Sequence, residues 1–332
     1  MTEHVEESVL RHFSIGQLLG RGAYGIVWQA VEKRTQNVMA LKKCYEAFRN
    51  STDAQRTYRE VMYLQKLDGH ENIVRLHNVM NATDGKDLYL TFDFMPADLH
   101  VVIRSNILED IHKEYIIYQL LRALKYIHSA GLIHRDIKPS NLLIDTDCNI
   151  KLCDFGLCRS ITNIQDRRLT DYVATRWYRC PEVLLGSTKY TTAIDMWSVA
   201  CILGEMLSHR PLLPGYSTMN QIEKILEVTG YPNEDELQSM QSPFAETMIE
   251  SIRIFEKTKI PVLCPKASTE ALDFMKHCMR LNPQKRLTAD LALLHPYVSG
   301  FHDLSKEPKY CDGPIEVSIF YIKTRSRVIY FF

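Results

Sequence analysis

The chain has 332 residues, with 40 Lys plus Arg against 40 Asp plus Glu, so its formal net charge is zero, and 45% of it is hydrophobic. That length exceeds one ordinary core and predicts two lobes with a cleft, while the balanced charge supports neither nucleic acid nor an anionic membrane as a partner. The most apolar run, residues 194–207, is interrupted by Asp195 and Glu205 and falls short of a bilayer span; an acidic N-terminus and nine scattered cysteines then predict a soluble intracellular protein.

From Phe13 an alternating run leads into Gly20-Arg21-Gly22-Ala23-Tyr24-Gly25 and then a branched, aromatic stretch from Ile26 and Val27 onward. A dinucleotide loop shares the G-x-G-x-x-G spacing but needs a helix after its third glycine and an acidic residue about 20 positions on. Here a strand follows, then Val38-Met39-Ala40-Leu41-Lys42, which predicts a hairpin lying over phosphates with its N–H groups brought close by glycine. Lys42 needs a carboxylate to fix its flexible stem. The candidate is Glu60, on a helix predicted to start at residues 51–53, which are good N-capping types, with Tyr58, Val61, Met62 and residues 64–67 as its apolar face. Arg56 and Arg59 flank Glu60 and are expected to point elsewhere. Strands predicted over 74–79 and 87–92 continue the sheet.

A helix predicted over 111–129, with Tyr115, Leu120, Leu124 and Ile127 at helical spacing and Gly131 past its end, delivers H-R-D-I-K-P-S-N at residues 134–141. In it Asp136 can accept a proton, Lys138 can neutralise a transferring phosphoryl group and Asn141 can offer an amide oxygen to a metal ion, which are the parts phosphoryl transfer needs. Thirteen positions after Asn141 stands Asp154-Phe155-Gly156, preceded by an alternating stretch at 149–153. A hairpin there would return Asp154 towards Asn141 and supply the one or two protein oxygens that Mg²⁺ takes alongside phosphates and waters. Cys148, Cys153 and Cys158 lack the C-x-x-C pairs of structural zinc sites and read as packing residues.

Together these motifs resemble the eukaryotic protein kinases. The resemblance spans residues 13–301 and implies an α+β, bilobal fold, with a β-rich N-lobe at 13–92, a hinge at 93–98 and a mainly helical C-lobe at 99–301. An N-terminal extension at 1–12 and a C-terminal extension at 302–332, turning back towards the first lobe, complete it. ATP and Mg²⁺ are the implied cofactors, Lys42, Glu60, Asp136 and Lys138 the catalytic set, and Asn141 and Asp154 the metal ligands. The implied nucleotide contacts are Leu19, Gly20, Arg21, Gly22, Ala23, Tyr24, Gly25, Ile26, Val27, Ala40 and Lys42. They continue through Phe92 as gatekeeper, Asp93 and Met95 in the hinge, Asp98 at the ribose and Leu143 under the adenine. The run at 194–207 reads as a buried central helix whose Asp195 is satisfied by the backbone of the catalytic stretch, and Glu182 is expected to pair with Arg286.

Thr170-Asp171-Tyr172 followed by V-A-T-R-W-Y-R resembles the mitogen-activated protein kinases specifically. T-D-A-Q-R-T-Y-R-E at 52–60 and R-S-R-V-I-Y at 325–330 resemble their atypical branch, the extracellular-signal-regulated kinases seven and eight, known for activating itself. That branch usually has glutamate where Asp171 stands, and Cys158 and Cys180 replace the family's usual alanines. The resemblance implies a monomeric, proline-directed serine/threonine kinase of cytoplasm and nucleus, acting on protein Ser-Pro and Thr-Pro sites. It would be switched on by phosphate at Thr170 and Tyr172, placed by an upstream dual-specificity kinase or by the protein itself. Arg56, Arg59, Arg135 and Arg159 would read the first phosphate, Arg176 and Arg179 the second. The acidic patch that docks partners in classical members is thinned to Asp303, Glu307 and Asp312 among Lys306 and Lys309, so the resemblance leaves docking of that kind open. A catalytically silent scaffold is disfavoured because Lys42, Glu60, Asp136, Asn141 and Asp154 are all present. A small-molecule phosphotransferase is disfavoured by the peptide-positioning segment at 173–182.

Overall fold

The computed structural model describes residues 4–22, 25–47, 51–83, 85–161, 175–187, 189, 191–254 and 257–317. The chain divides into two units, one of Met1–Pro96 with Asp154–Leu157 and Val317–Phe332, the other of Ala97–Cys153 with Cys158–Glu316. The first is β-rich and the second mainly helical, the α+β composition expected.

In the first unit a short helix α1 (Glu7–Leu10) precedes the strands β1 (Phe13–Gly22), β2 (Gly25–Glu32) and β3 (Val38–Cys44), then helix α2 (Ser51–Lys66), β4 (Leu76–Asn81) and β5 (Leu88–Asp93). The strands form one antiparallel sheet in the order β1-β2-β3-β5-β4. Side chains alternate across a strand, and here Ile26, Trp28 and Ala30 share one face with Met39, Leu41 and Tyr89. Val5 and Val9 of the N-terminal extension close over that face beside Phe13. The extension is pinned as well as packed: the Glu6 carboxylate accepts from the Thr83 N–H and hydroxyl at 2.7 and 2.8 Å, and Lys43 Nζ donates to the His4 carbonyl at 2.9 Å. The opposite face carries Val27 paired in register with Lys42.

The second unit opens with β6 (Ala97–Asp98) and α3 (Leu99–Ser105) and continues through α4 (Asp110–Ser129), β7 (Leu132–Ile133), β8 (Leu142–Ile144), β9 (Ile150–Leu152) and β10 (Arg159–Ser160). Helix α4 begins in a capping box between Glu109 and His112 and ends where Gly131, at φ +71°, turns the chain. The helices that follow are α5 (Pro181–Leu184), α6 (Ala193–Ser208), α7 (Thr218–Thr229), α8 (Glu234–Ser239), α9 (Ala245–Glu250), α10 (Ile260–Leu263), α11 (Thr269–Cys278) and α12 (Ala289–Leu293). Helix α6 is buried along its length from Ala193 to Met206, matching its apolar character on every side. Beneath it the Glu182 carboxylate takes two hydrogen bonds from Arg286, both at 2.7 Å, as the sequence predicts.

The C-terminal extension is held by this second unit as far as Glu316. Glu307, buried, pairs with Lys125 at 3.3 Å and with His302 at 2.8 Å, and accepts the Asp303 N–H. Beyond it the Tyr310 N–H reaches Ser129 Oγ and the Ile315 N–H reaches the Ala130 carbonyl, each at 2.8 Å. Of the extension expected to turn towards the first lobe, residues 302–332, the part from 318 on lies outside the described residues. Among the described residues no helix is long and apolar enough to cross a membrane.

Candidate active site

In the first unit, β3 and α2 bring Lys42 and Glu60 together as expected: Nζ donates to both carboxylate oxygens, at 2.7 and 2.9 Å. Burial works against the Lys42 ammonium, but the Glu60 carboxylate outweighs it and the pKa stands above that of an ordinary lysine. Lys42 is therefore a fixed cation. It lines a cavity of about 170 Å³ with Gly22, Gly25, Val27, Glu60 and Asp154. Cys44, in the same wall, is an inert thiol, because burial pushes its pKa up to about 11 against the pull of Lys42. Among the described residues, a Cβ at Gly20 or Gly22 would meet nothing within 4 Å, so these glycines border open space.

Ile26 requires a correction. Its side chain is 1% exposed in the core, on the face opposite Val27 and Lys42, since the two-residue period of β2 sends neighbours to opposite sides. Only its backbone can serve a nucleotide. Leu19, Gly20 and Arg21 are exposed, Val27 and Ala40 half-buried, Phe92 buried, and Asp93 and Met95 half-buried. Asp93 also accepts from His77 at 2.7 Å. Ala23 and Tyr24 lie outside the described residues.

The second unit carries the H-R-D-I-K-P-S-N stretch of residues 134–141. His134 accepts the Asp136 N–H at Nδ1, so its Nε2 bears the proton that it donates to the Cys153 carbonyl at 3.1 Å. The carboxylate of Asp195 on α6 accepts the N–H groups of His134 and Arg135, each at 2.9 Å, and meets His128 at the same distance. That contact holds Arg135 at φ 71°, a strained left-handed turn for a non-glycine residue. Asp136 follows it, buried, with its Oδ2 accepting from Lys138 at 2.7 Å and from Asn141 Nδ2 at 3.0 Å. Oδ1 makes no hydrogen bond among the described residues.

Asn141 Nδ2 also donates to the Asp136 carbonyl at 2.8 Å, so the amide nitrogen is committed and the oxygen is the atom left for a cation. The predicted hairpin forms: β8 and β9 pair Leu142 with Leu152, and the Cys153 N–H reaches the Asn141 carbonyl at 3.0 Å. Leu143 sits half-buried on β8. Asp98 caps α3, accepting the Val101 N–H at 3.0 Å, so the carboxylate expected at the ribose already has a structural duty.

The arginines expected to read phosphate divide. Arg135 and Arg159 line one cavity of about 250 Å³ in the second unit, where Lys189, not singled out from the sequence, joins them. Arg176 keeps a buried Nε with no hydrogen-bond partner among the described residues, and Arg179 is half-buried. In the first unit Arg59 is buried and Arg56 lies on the Asp154 carboxylate. Thr170 and Tyr172 lie outside the described residues.

The protein kinase domain model matches residues 13–298. The chain is 53% identical over 323 residues to extracellular signal-regulated kinase 2 of Dictyostelium discoideum, covering 96% of this chain and 87% of that one. It is 51% identical over 315 residues to mitogen-activated protein kinase 15 of Xenopus laevis, covering 92% and 53%. With extracellular signal-regulated kinase 7 of Drosophila melanogaster it shares 46% over 316 residues, covering 92% and 34%. The chain thus spans most of the first relative and about half or less of the other two. A fixed lysine–glutamate pair, a wired aspartate–lysine–asparagine stretch and this likeness along nearly the whole chain together place it in the protein kinase family, as a serine/threonine kinase of the mitogen-activated branch.

Proposed function

We propose that the protein moves the γ-phosphate of ATP, in the presence of Mg²⁺, to protein serine or threonine followed by proline, and that phosphate at Thr170 and Tyr172, placed by the protein itself, switches it on. The observation that carries this reading is the wiring of Asp136: one carboxylate oxygen is tied to Lys138 and Asn141 and the other is free to take a proton. The residues present fit the two absent groups, with the oxygens of Asn141 and Asp154 matching a hard divalent cation and the open space at Gly20 and Gly22 matching a polyphosphate. Bound ATP and Mg²⁺ would supply the phosphoryl group and neutralise the charge developing on it.

Each residue then has one job. Lys42, held by Glu60, presents a fixed positive charge to phosphate oxygens. Asp136 orients the acceptor hydroxyl and takes its proton at Oδ1. Lys138, bonded to Oδ2, places a cation beside the reacting oxygen. Phosphates bring about −1.5 to −2 charges each, and Arg176, whose Nε has no hydrogen-bond partner among the described residues, and Arg135 and Arg159, which share a cavity, are suited to receive them. The N-lobe to C-lobe order, the monomeric state and a cytoplasmic and nuclear home belong to the same reading. The test is to express the protein in a host without upstream kinases and map its phosphosites by mass spectrometry, beside an Asp136→Asn variant made the same way. Wild type should carry both phosphates and the variant neither. Equal phosphorylation of the variant would overturn self-activation.

A further inference from the structure

The first unit places a cation on the carboxylate proposed for the metal. Arg56 Nη2 donates to both oxygens of Asp154, at 3.1 and 3.0 Å, and the two side chains are 16% and 25% exposed. Lys42 by contrast gives two of its three ammonium donors to the oxygens of Glu60. The contact is also built sterically. A Cβ on Gly156 would stand 2.5 Å from Arg56 Nε and 2.6 Å from its Cγ, so the arginine stem lies where only glycine leaves room. Asp154 itself is held at φ 60°, so its carboxylate is aimed by the backbone and Arg56 comes to it from α2.

A divalent ion would need those same hard oxygens, and a carboxylate already paired with a guanidinium must lose that pair to accept it. We propose that Arg56 is an inhibitory positioning residue, a tethered cation that competes with the divalent ion for Asp154 and keeps the unphosphorylated kinase from binding metal tightly. The proposal rests on the reading of Asp154 as a metal ligand. It also couples to the switch: the same arginine is among those expected to read phosphate at Thr170, and an incoming phosphate that draws it away releases the carboxylate.

The probe is Mn²⁺, titrated by electron paramagnetic resonance into full-length, phosphatase-treated protein saturated with a non-hydrolysable ATP analogue. Arg56→Gln keeps a good helix former and removes the cation, and Gly156→Ala forces the arginine aside from the other direction. Both should bind Mn²⁺ about tenfold more tightly than wild type, the factor one charged hydrogen bond can supply, while Asp154→Asn binds it more weakly. Wild-type affinity in both variants, with weakening in Asp154→Asn, would overturn the competition and leave the metal assignment standing. An unchanged Asp154→Asn would overturn the metal assignment and the competition together. Circular dichroism checks each fold, and if Arg56→Gln does not fold, Gly156→Ala decides.

Discussion

Replacing Asp195 by asparagine should separate the scaffold of the catalytic stretch from its chemistry. The carboxylate serves two backbone N–H groups and His128, all at 2.9 Å, from a position 1% exposed. An asparagine offers one acceptor oxygen and turns an NH₂ towards donors, so at least one N–H is stranded, at ~1–3 kcal/mol, and the charge-assisted character of the others is lost. Breaking such a buried arrangement costs about 3–5 kcal/mol. At about 2–4 °C per kcal/mol for a unit of this size, the Tm should fall by roughly 6–20 °C.

The pH dependence carries a sign of its own. Burial works to raise the Asp195 pKa, but the His128 hydrogen bond and charge, with the Arg135 N–H, outweigh it and hold it below the ordinary 3.8. A carboxyl depressed in the folded state contributes stability that is complete above its unfolded value and is lost as pH falls through the folded one. The gap in Tm between wild type and variant should therefore be level at neutral pH and narrow once the pH drops below the ordinary 3.8. Differential scanning calorimetry across pH measures this, with phosphotransfer assayed well below the lower Tm. A variant melting within about 2 °C of wild type at neutral pH would refute the reasoning.

Asp136→Asn should lower kcat by ~10²–10⁴ while leaving nucleotide affinity nearly intact, since it removes the proton acceptor; steady-state kinetics with a nucleotide titration checks both halves. Glu307→Ala leaves Lys125 buried without its partner and should cost about 3–5 kcal/mol, seen as a lower Tm and faster proteolysis within residues 302–316. An oriented peptide library should show proline directly after the phosphorylated residue. If the backbone at that position turns its carbonyl away, an ordinary amide would bury an unpaired N–H at ~1–3 kcal/mol, and proline has none; uniform use of residues there would sink that account.

What the sequence made legible is what short-range chemistry dictates. The catalytic stretch, the β8–β9 hairpin, the Lys42–Glu60 pair and the Glu182–Arg286 pair each follow from residue types at tight spacing or from the family pattern, and each forms. Strand phase was harder to read. Ile26 stood among the implied contacts because the family pattern takes the glycine loop and the strand after it as one run, whereas the two-residue period of β2 buries its side chain on the face opposite Val27. The pairing of Arg56 with Asp154 was not visible: the two are 98 positions apart, and neither a local signal nor the family pattern as read marked one for the other. Nor did composition show that, of the acidic residues left there, Glu307 is buried among Lys125 and His302 while Asp303 is engaged with Ser305 and Lys306.

Kinship and cohesion draw the start of this domain in different places. The family pattern begins at residue 13, yet Val5 and Val9 are 7% and 2% exposed against Trp28, Ile26 and Tyr89. Burying a side chain of that size contributes about 1.5–3 kcal/mol, and a folded domain has only about 5–15 kcal/mol to lose. A chain trimmed to start at residue 13 would thus begin with an uncovered apolar sheet face, the kind of surface that drives aggregation.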